Sequence, residues 1–426
     1  MSKAISIEIP YGEIVLRVEV DRRNLGLVLE PQPTTPCSDV AAEVRRGLEH
    51  PIGVPPLREL AHGARRVALI ADDITRLTPT HLLLPPLLEE LNAAGVADDQ
   101  ITLIIALGTH RPMSEAECRT KYGEEVVERI AIENHDCHDI DRLVDLGVTD
   151  RGTPILINRT VWEADCVIGV GSIMPHHLCG FSGGAKIIQP GVSGAETTAA
   201  THLLGVRQRP SLLGEVENEV RAEMEEVAGQ AGLTAILNVV LNEEGKTVRV
   251  VFGDQRQAFR AGVETCREVH ACPFDTRADI AVSGAFPAEI EFWQSHKALY
   301  PADMAVQPGG TIIVVSPCPE GVSVMHSEML EFTAWSPEEI DAKVREGGIE
   351  DGVAAALAIA WARVRAGRQI SLVSDGISAQ ETEALGYVPF ATVQEALEEA
   401  LSRHGPDAKV HILPRAAETL PVVSPS

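Results

Sequence analysis

Residues 167–192, VIGVGSIMPHHLCGFSGGAKIIQPGV, give the clearest indication of how this chain folds. The apolar run at 167–170 breaks into glycines and other small residues, a pattern typical of a buried strand that leads into a loop approaching another group closely. Such a loop needs no histidine or lysine for its own stability, yet this one carries His176, His177 and Lys186. We therefore expect chemically active side chains around a glycine-rich cradle at the end of a strand.

Apolar runs and helical patterns alternate on both sides of this stretch. We predict strands at 66–71, 101–107, 130–133, 154–158 and 166–170, and helices at 79–94, 194–204 and 213–229. A further helix is predicted to begin at a capping box formed by Ser114 and Glu117. Strands that alternate with helices favour a mostly parallel sheet with helices on both faces.

The same alternation resumes near residue 279, with apolar runs at 311–318, 369–376 and 409–414 and a helical stretch at 351–366. We therefore predict an α/β protein of two domains, each with a mostly parallel sheet, and an active site in the cleft between them. Residues 1–270, including an opening hairpin at 4–9 and 13–20, are expected to form the catalytic domain. Residues 271–426 are expected to close the cleft, with a hinge at 270–278 and a frayed tail at 418–426.

Three of the predicted parallel strands are followed by loops with reactive side chains: DDITRLTP (72–79), GTHRP (108–112) and HHLCGFSGGAK (176–186). Ligands bind beyond the carboxyl ends of strands in open α/β sheets, so these loops are expected to build one site.

The sequence matches neither of the two common nucleotide-binding loop motifs. Ile187 stands where a phosphate loop needs Ser or Thr, and Met174 stands where the dinucleotide fingerprint needs its third glycine.

Composition limits the class of protein. The 426 residues suffice for two or three domains, and the net charge of −26 argues against nucleic acid and anionic membranes as partners. No apolar run approaches the roughly 18 residues that span a bilayer, and the N-terminus lacks the apolar core of a signal peptide, so we predict a cytoplasmic protein. The eight cysteines form no CxxC pair and are expected to be reduced, and the His/Cys clusters at 135–139 and 266–272 lack zinc-site spacing.

The loop at 72–79 has two interpretations. Thr78 followed by Pro79 suits the start of a helix. Asp72, Thr75 and Arg76, beside exposed backbone N–H groups, suit an anion or phosphate site. We favour anion binding, because a helix start alone gives no reason for the arginine.

The histidines and the lysine each have a structural alternative. His110 is either an ordinary loop histidine or an acid/base group, and its place after a buried strand favours the second. His176 and His177 are expected to point in opposite directions, with only His176 facing the site. Lys186, among small and apolar neighbours, is expected to be partly buried, which suits covalent attachment or anion binding. His202 lies in a helical stretch, where a core position is commoner than a metal ligand.

In the second domain, Gln294 and Lys297 share one face if residues 292–297 are helical. The alternative is a solvated helix surface. We favour a position from which both side chains reach the same pocket across the cleft.

Taken together, DDITRLTP, GTHRPM and PHHLCGFSGGAKIIQPG, with a histidine at 202, resemble the lactate racemase family. The resemblance runs from about residue 66 to 205 and resumes at 292–297, and the loop motif is its specific part. Trp293 departs from the smaller aromatic residue expected of the family. Trp293 is expected to affect which substrates fit the pocket. Trp361 is expected to form a wall of the pocket and to have the same effect.

The resemblance implies nickel and a nickel-pincer nucleotide, pyridinium-3-thioamide-5-thiocarboxylic acid mononucleotide, attached covalently to Lys186. It implies His202 as the nickel ligand and His110 and His176 as the acid/base pair. The other residues implied to bind the cofactor are Asp72, Thr75, Arg76, Ser182, Gly183, Gly184, Gln294 and Lys297. Those implied to bind the substrate are Arg76, Gln294 and Lys297, and we expect Trp293 and Trp361 to contact it as well. The implied partners are a small 2-hydroxy acid and the enzymes that make the cofactor and insert nickel.

The implied reaction is racemisation of a short-chain 2-hydroxy acid, such as lactate or 2-hydroxybutyrate, by reversible hydride transfer with two histidines as acid and base. One alternative is a racemase or epimerase of a larger hydroxy acid or sugar acid. Others are a non-catalytic homologue that binds a small anion and a lysine-dependent aldolase or phosphate-binding enzyme without nickel. We favour the racemase because Lys186, His110, His176 and His202 are all present.

Overall fold

The computed structural model describes residues 4–207 and 209–424, which form two α/β units. The strands in this range are β1 (Ala4–Tyr11), β2 (Ile14–Asp21), β3 (Leu25–Val28), β4 (Val67–Asp72), β5 (Ile101–Ala106), β6 (Ala131–Asn134), β7 (Leu143–Val148), β8 (Pro154–Asn158), β9 (Cys166–Ser172), β10 (Pro175–His176), β11 (Gly180–Phe181), β12 (Ala235–Leu241), β13 (Thr247–Gly253), β14 (Ala271–Phe274), β15 (Ala278–Gly284), β16 (Val306–Val315), β17 (Gln369–Val373), β18 (Val388–Phe390), β19 (Val410–Leu413) and β20 (Leu420–Val423).

The helices in the same range are α1 (Val40–Glu49), α2 (Leu57–Leu60), α3 (Thr80–Ala93), α4 (Glu115–Tyr122), α5 (Glu124–Arg129), α6 (Arg159–Trp162), α7 (Ala195–Val206), α8 (Glu219–Gln230), α9 (Gln257–His270), α10 (Phe292–Ser295), α11 (Leu299–Ala305), α12 (Pro337–Arg345), α13 (Gly352–Gly367), α14 (Ala379–Ala384) and α15 (Val393–His404). The capping box predicted at the start of α4 is confirmed, since Ser114 accepts from the backbone N–H of Glu117. No described helix is long and apolar enough to cross a membrane.

The first sheet has the strand order β13-β12-β9-β4-β5-β6, and its pairs are parallel except for β12 with β13. Side chains of β4 alternate between two cores. Val67 and Leu69 pack with α1 and α3, whereas Ala68 and Ile70 pack with α6 and α8 on the other face. The predicted arrangement of helices on both faces is confirmed for this sheet.

The second sheet has the strand order β18-β17-β16-β15-β19-β3, and all its pairs are parallel. Ala281 on β15 packs with α11 and α13, whereas Ile280 and Val282 pack with α15 and the β1–β2 hairpin. The predicted fold class of two α/β units with mostly parallel sheets is therefore confirmed.

The N-terminal segment lies with the second unit, although residues 1–270 were expected to form the first. β3 pairs with β19 at the edge of the second sheet, and Ile9 and Val18 of the hairpin pack into its core. The alternating pattern of a hairpin shows only that one face is buried. It does not show which sheet that face covers.

The expected hinge and the expected frayed tail pair with each other. β14 and β20 form a two-stranded parallel sheet, so the tail is ordered through Ser424, while residues 425 and 426 lie outside the described residues. The strand predicted at 154–158 also forms, but it pairs antiparallel with β7 and stands apart from the first sheet.

Candidate active site

A cavity lies at the carboxyl ends of β9, β4 and β5, where the second unit faces the first. These strands are adjacent and parallel, so the loops that follow them meet at one sheet edge, as predicted. The cavity is open to solvent, and its volume, including the solvent-open part, is about 920 Å³. The predicted residues that line it are Asp72, Arg76, His110, His176, Ser182, Gly183, Lys186, His202, Trp293, Gln294 and Lys297.

His110 is oriented by a carboxylate that the sequence did not single out. Its Nδ1 lies 2.5 Å from Oδ2 of Asp73, and its Nε2 lies 3.0 Å from the amide nitrogen of Gln294. An ionised carboxylate only accepts, so Nδ1 carries the proton and Nε2 keeps a lone pair. Burial lowers the pKa of His110. Burial acts to raise the pKa of Asp73, but the hydrogen bond from His110 and the charge of Arg76 outweigh it and lower that pKa. The pair presents a neutral imidazole, the form required of a general base.

Gln294 connects the two units beside His110. Its Oε1 accepts from Nη1 of Arg76 at 3.1 Å and from Nζ of Lys297 at 2.5 Å. Because the amide oxygen faces two cations, the amide nitrogen is turned toward His110. Burial and the charge of Arg76 lower the pKa of Lys297. Arg76 and Lys297 form a cationic corner suited to a carboxylate or a phosphate.

His176 and His177 both line the cavity, so the prediction that only one faces the site is wrong. β10 folds back onto β11 and the chain turns at His177, so the two rings stack with centroids 4.8 Å apart instead of diverging. The ring of His177 also stacks on Tyr300 at 4.2 Å, and neither of its nitrogens has a hydrogen-bond partner in the described chain. Burial lowers the pKa of both histidines well below the ordinary value.

Lys186 faces the cavity from the 3-10 turn Gly184–Ile187. The turn depends on Gly183, whose φ is 80° and where a Cβ would stand 2.7 Å from Cγ1 of Ile173. Burial lowers the pKa of Lys186 to about 8, and the positive charges of Arg76 and Arg221 act in the same direction. A lysine of that pKa is partly neutral near physiological pH and therefore nucleophilic.

His202 reaches the cavity from α7. Burial and the charge of Lys186 lower its pKa to about 3, so the imidazole is neutral, the form that binds metals. In the described part of the chain, no three His, Cys, Asp or Glu side chains are grouped as a ready metal site.

Comparison with known proteins matches both units. A model of the lactate racemase N-terminal domain matches residues 11–213, and a model of the lactate racemase C-terminal domain matches residues 274–420. This chain belongs to the lactate racemase family.

Relatives and a solved structure agree with that assignment. The lactate racemase of Lactiplantibacillus plantarum is 29% identical over 418 residues, covering 96% of this chain and 98% of that protein. The lactate racemase of Thermoanaerobacterium thermosaccharolyticum is also 29% identical, over 423 residues, covering 96% of this chain and 97% of that protein. The solved lactate racemase apoprotein of the same organism has a TM-score of 0.88 at 27% identity and covers 98% of this chain and 100% of that chain. As a member of this family, the chain is an isomerase.

Three of the predicted site residues do not line the main cavity of this lactate racemase family member. Thr75 accepts a hydrogen bond from Nη1 of Arg76 at 2.6 Å and thereby orients it. Gly184 donates its backbone N–H to Asn238 at 2.8 Å and shapes the turn before Lys186. Trp361 is not a pocket wall: it is fully buried, and its ring lies 5.3 Å from that of His296, one layer behind the lining.

The helix start predicted at Thr78 is also displaced. α3 begins at Thr80 with Pro79 as its N-cap, while Thr78 donates to Oδ2 of Asp72. The other oxygen of Asp72 lies 3.2 Å from Nζ of Lys121, which also donates to the carbonyls of the same loop. Burial raises the pKa of Asp72 despite this lysine. The loop is thus held from within by a buried ion pair that sequence spacing did not reveal.

Sequence reasoning missed several lining residues: Asp73, Thr109, His177, Thr198, Asn238, His296 and Leu357. Asp73 and His296 lie within two of the predicted site motifs, so the residues beside them in sequence could have indicated that they face the cavity. Asn238 on β12 and Leu357 on α13 carry no local signal, because nothing near them in sequence distinguishes them from core residues.

Proposed function

We propose that this enzyme interconverts the enantiomers of short-chain 2-hydroxy acids, lactate or 2-hydroxybutyrate among them. The observation that carries the proposal is that His110, His176, Lys186 and His202 line one cavity together with the cationic pair Arg76 and Lys297. Two enantiomers present their hydroxyl groups from different sides, so a racemase needs two groups that can each hold that proton.

In this proposal, Lys186 carries a nickel-pincer nucleotide. The surroundings fit such a group: the amine is partly neutral, the buried ring nitrogens of His177 lack partners in the described chain, and the cavity lining includes Gly183, where a Cβ would stand 2.7 Å from Cγ1 of Ile173. His202 would supply an imidazole to nickel, whose sulfur and carbon donors are the cofactor's own. When bound, the group supplies reversible acceptance of the hydride from C2 of the substrate.

The rest of the chemistry belongs to side chains of this chain. Arg76 and Lys297 bind the substrate carboxylate or the cofactor phosphate. For one enantiomer, Nε2 of His110 takes the hydroxyl proton, and Asp73 stabilises the imidazolium that results. His176 does the same for the other enantiomer. Trp293 bounds the space for the substrate tail.

The remaining proposed contacts surround the cofactor: Asp72, Thr75, Ser182, Gly183, Gly184 and Gln294. We also propose that the enzyme works in the cytoplasm, where the enzymes that make the cofactor and insert nickel supply the modification of Lys186.

Chiral chromatography tests the proposed reaction. Protein produced together with the cofactor-synthesis enzymes is incubated with one enantiomer each of lactate, 2-hydroxybutyrate, malate, phenyllactate and gluconate. We expect lactate and 2-hydroxybutyrate to reach an equal mixture of enantiomers, and the His110→Gln variant to leave them unchanged. If loaded wild-type protein leaves both acids enantiopure, the proposed substrate class is wrong.

A further inference from the structure

The two acid/base histidines differ in what faces their Nδ1 atoms. His110 has the carboxylate of Asp73 there. Nδ1 of His176 instead accepts from the backbone N–H of Leu178 at 3.2 Å and lies 3.6 Å from Sγ of Cys179. The first of these neighbours only donates, and the second is a sulfur that can accept.

We infer that Cys179, held in place by Arg221, is the positioning residue that allows His176 to accept a proton at Nε2. The inference rests on the proposed function, in which His176 is one of the two acid/base groups. Cys179 would do for His176 what Asp73 does for His110.

The tautomers of a neutral imidazole give the reason. A lone pair on Nδ1 suits the Leu178 N–H, but it places the proton on Nε2, and that nitrogen then cannot take a proton from a substrate hydroxyl. Nε2 accepts only when the proton lies on Nδ1, and this Nδ1–H needs an acceptor. Within the described residues, the hydrogen-bond acceptor at that atom is the sulfur of Cys179. After transfer the ring is an imidazolium whose Nδ1–H still donates to sulfur, so no proton leaves Nδ1.

The sulfur is arranged to accept. The thiol hydrogen points to the carbonyl oxygen of Phe181 at 3.1 Å, which leaves the sulfur lone pairs free. One faces Nη2 of Arg221 at 3.6 Å, and the other faces His176. Cys179 is fully buried, so water does not compete for these positions.

Arg221, on α8, holds Cys179 and the surrounding loop in place. The residue is 1% exposed, and its guanidinium donates to the carbonyls of Phe181 and Gly183, the latter at 3.0 Å, while it stacks 4.2 Å from the ring centre of Phe259. Burial of a cation is costly without compensating contacts, and here two carbonyls, a sulfur and an aromatic ring provide them. Arg221 fixes the segment between His176 and Lys186 through two carbonyls and a sulfur.

Nuclear magnetic resonance of the full-length protein labelled with ¹⁵N-histidine tests the tautomer directly. The signals of His176 are assigned by their loss in the His176→Gln variant. We expect wild-type shifts that show a substantial population of the Nδ1–H tautomer. In Cys179→Ala the shifts should move to those of the Nε2–H tautomer, and Cys179→Ser, which restores an acceptor, should move them back. Identical His176 shifts in wild type and Cys179→Ala would overturn the inference.

Activity gives an independent readout in cofactor-loaded protein. We expect Cys179→Ala to lower kcat by about tenfold or more from one enantiomer, with Cys179→Ser recovering most of it, as for other partners that orient a working histidine. Because racemisation has an equilibrium constant of one, kcat/KM stays equal in the two directions and the asymmetry appears in kcat and KM separately. The control is Cys166→Ala, which removes an equally buried thiol at the far end of β9.

Failure of the inference is distinguishable from failure of the proposed function. If wild type racemises and Cys179→Ala matches it from both enantiomers, the inference is wrong and the function stands. If wild type racemises no acid, the function is wrong, while the tautomer shift in the labelled protein still tests the role of Cys179. Should Cys179→Ala fold poorly, the Cys179→Ser spectrum decides, since loss of the Nδ1–H tautomer in that variant contradicts an acceptor role.

Discussion

Asp73 and His110 lie on neighbouring loops, and the carboxylate Oδ2 of the first is 2.5 Å from Nδ1 of the second. The two loops follow β4 and β5, whose parallel register pairs Asp72 with Ala106 and so brings both strand ends to the same level. The pair fixes which nitrogen of His110 is free to accept a proton. The sheet therefore positions the proposed base before any ligand binds.

Replacing Asp73 by asparagine tests this relationship. The new side-chain amide can present its NH₂ group to Nδ1 of His110, which would move the ring proton to Nε2 and remove the accepting lone pair. We expect kcat to fall by about 100-fold or more, as when the acidic partner of a catalytic histidine is lost. The measurement is kcat from both enantiomers, with the exposed substitution Asp99→Asn as the control. An Asp73→Asn enzyme within about twofold of wild type would contradict the assignment.

Gln294→Glu should change both substrate affinity and pH dependence. A carboxylate at this position would compete with the substrate carboxylate for Arg76 and Lys297, so KM should rise by about tenfold. It would also stabilise protonated His110 and raise its pKa. Activity that requires neutral His110 would then begin at higher pH, shifting the acidic limb of the pH–rate profile upward by about one unit. An unchanged KM and an unchanged acidic limb would show that Gln294 does not face these groups in the working enzyme.

The lowered pKa of Lys186 predicts unusual reactivity of its amine in protein without cofactor. Below about pH 8 the amine is protonated and unreactive, and above it the amine is free, whereas ordinary lysines titrate at about 10.4. Competitive labelling with acetic anhydride, followed by peptide mass spectrometry, should give a midpoint at about pH 8 for Lys186. The exposed Lys343 on α12 serves as the internal reference. Labelling of Lys186 that begins only at the pH of an ordinary lysine would be inconsistent with this environment.

Trp293 should limit how large a substrate tail the site accepts. Its ring stacks on His326 with centroids 3.9 Å apart and separates the main cavity from a smaller one that reaches Met325. His326 is held by Asp351 at 2.5 Å and Thr109 at 3.2 Å, so this wall is rigid.

We expect Trp293→Ala to join the two cavities, raise turnover of phenyllactate and lower kcat/KM for lactate by about tenfold. Trp293→Phe should lie between the two. The measurement is the ratio of kcat/KM values for the two acids. A ratio that stays at the wild-type value in Trp293→Ala would show that this wall does not contact the substrate tail.

Much of the fold was predictable because it depends on local patterns. The apolar runs of β4, β5 and β9, and the polar loops after them, are contiguous in sequence, so their meeting at one sheet edge follows from parallel topology. The β1–β3 segment was misplaced because its partner strand, β19, lies near the other end of the chain. Local alternation holds no information about so distant a partner.

In the candidate site too, some residues could be predicted from local sequence and others could not. Lys186 and His176 stand out because polar groups interrupt a glycine-rich loop. The stacking of His177 on His176 depends on the turn between β10 and β11, and the support of the loop by Arg221 comes from α8, which packs beneath it. These contacts arise from tertiary packing, and an arginine on a helix gives no sign in sequence that it is buried.

The most direct test of the account is the intact mass of the chain produced together with the cofactor-synthesis and nickel-insertion enzymes. We predict that wild-type protein gains the mass of the pincer mononucleotide less the small molecule released when its thioamide bond to Nζ of Lys186 forms. The gain should map to the peptide containing Lys186 and be absent from Lys186→Arg. An unmodified wild-type chain that still racemises lactate would contradict this prediction.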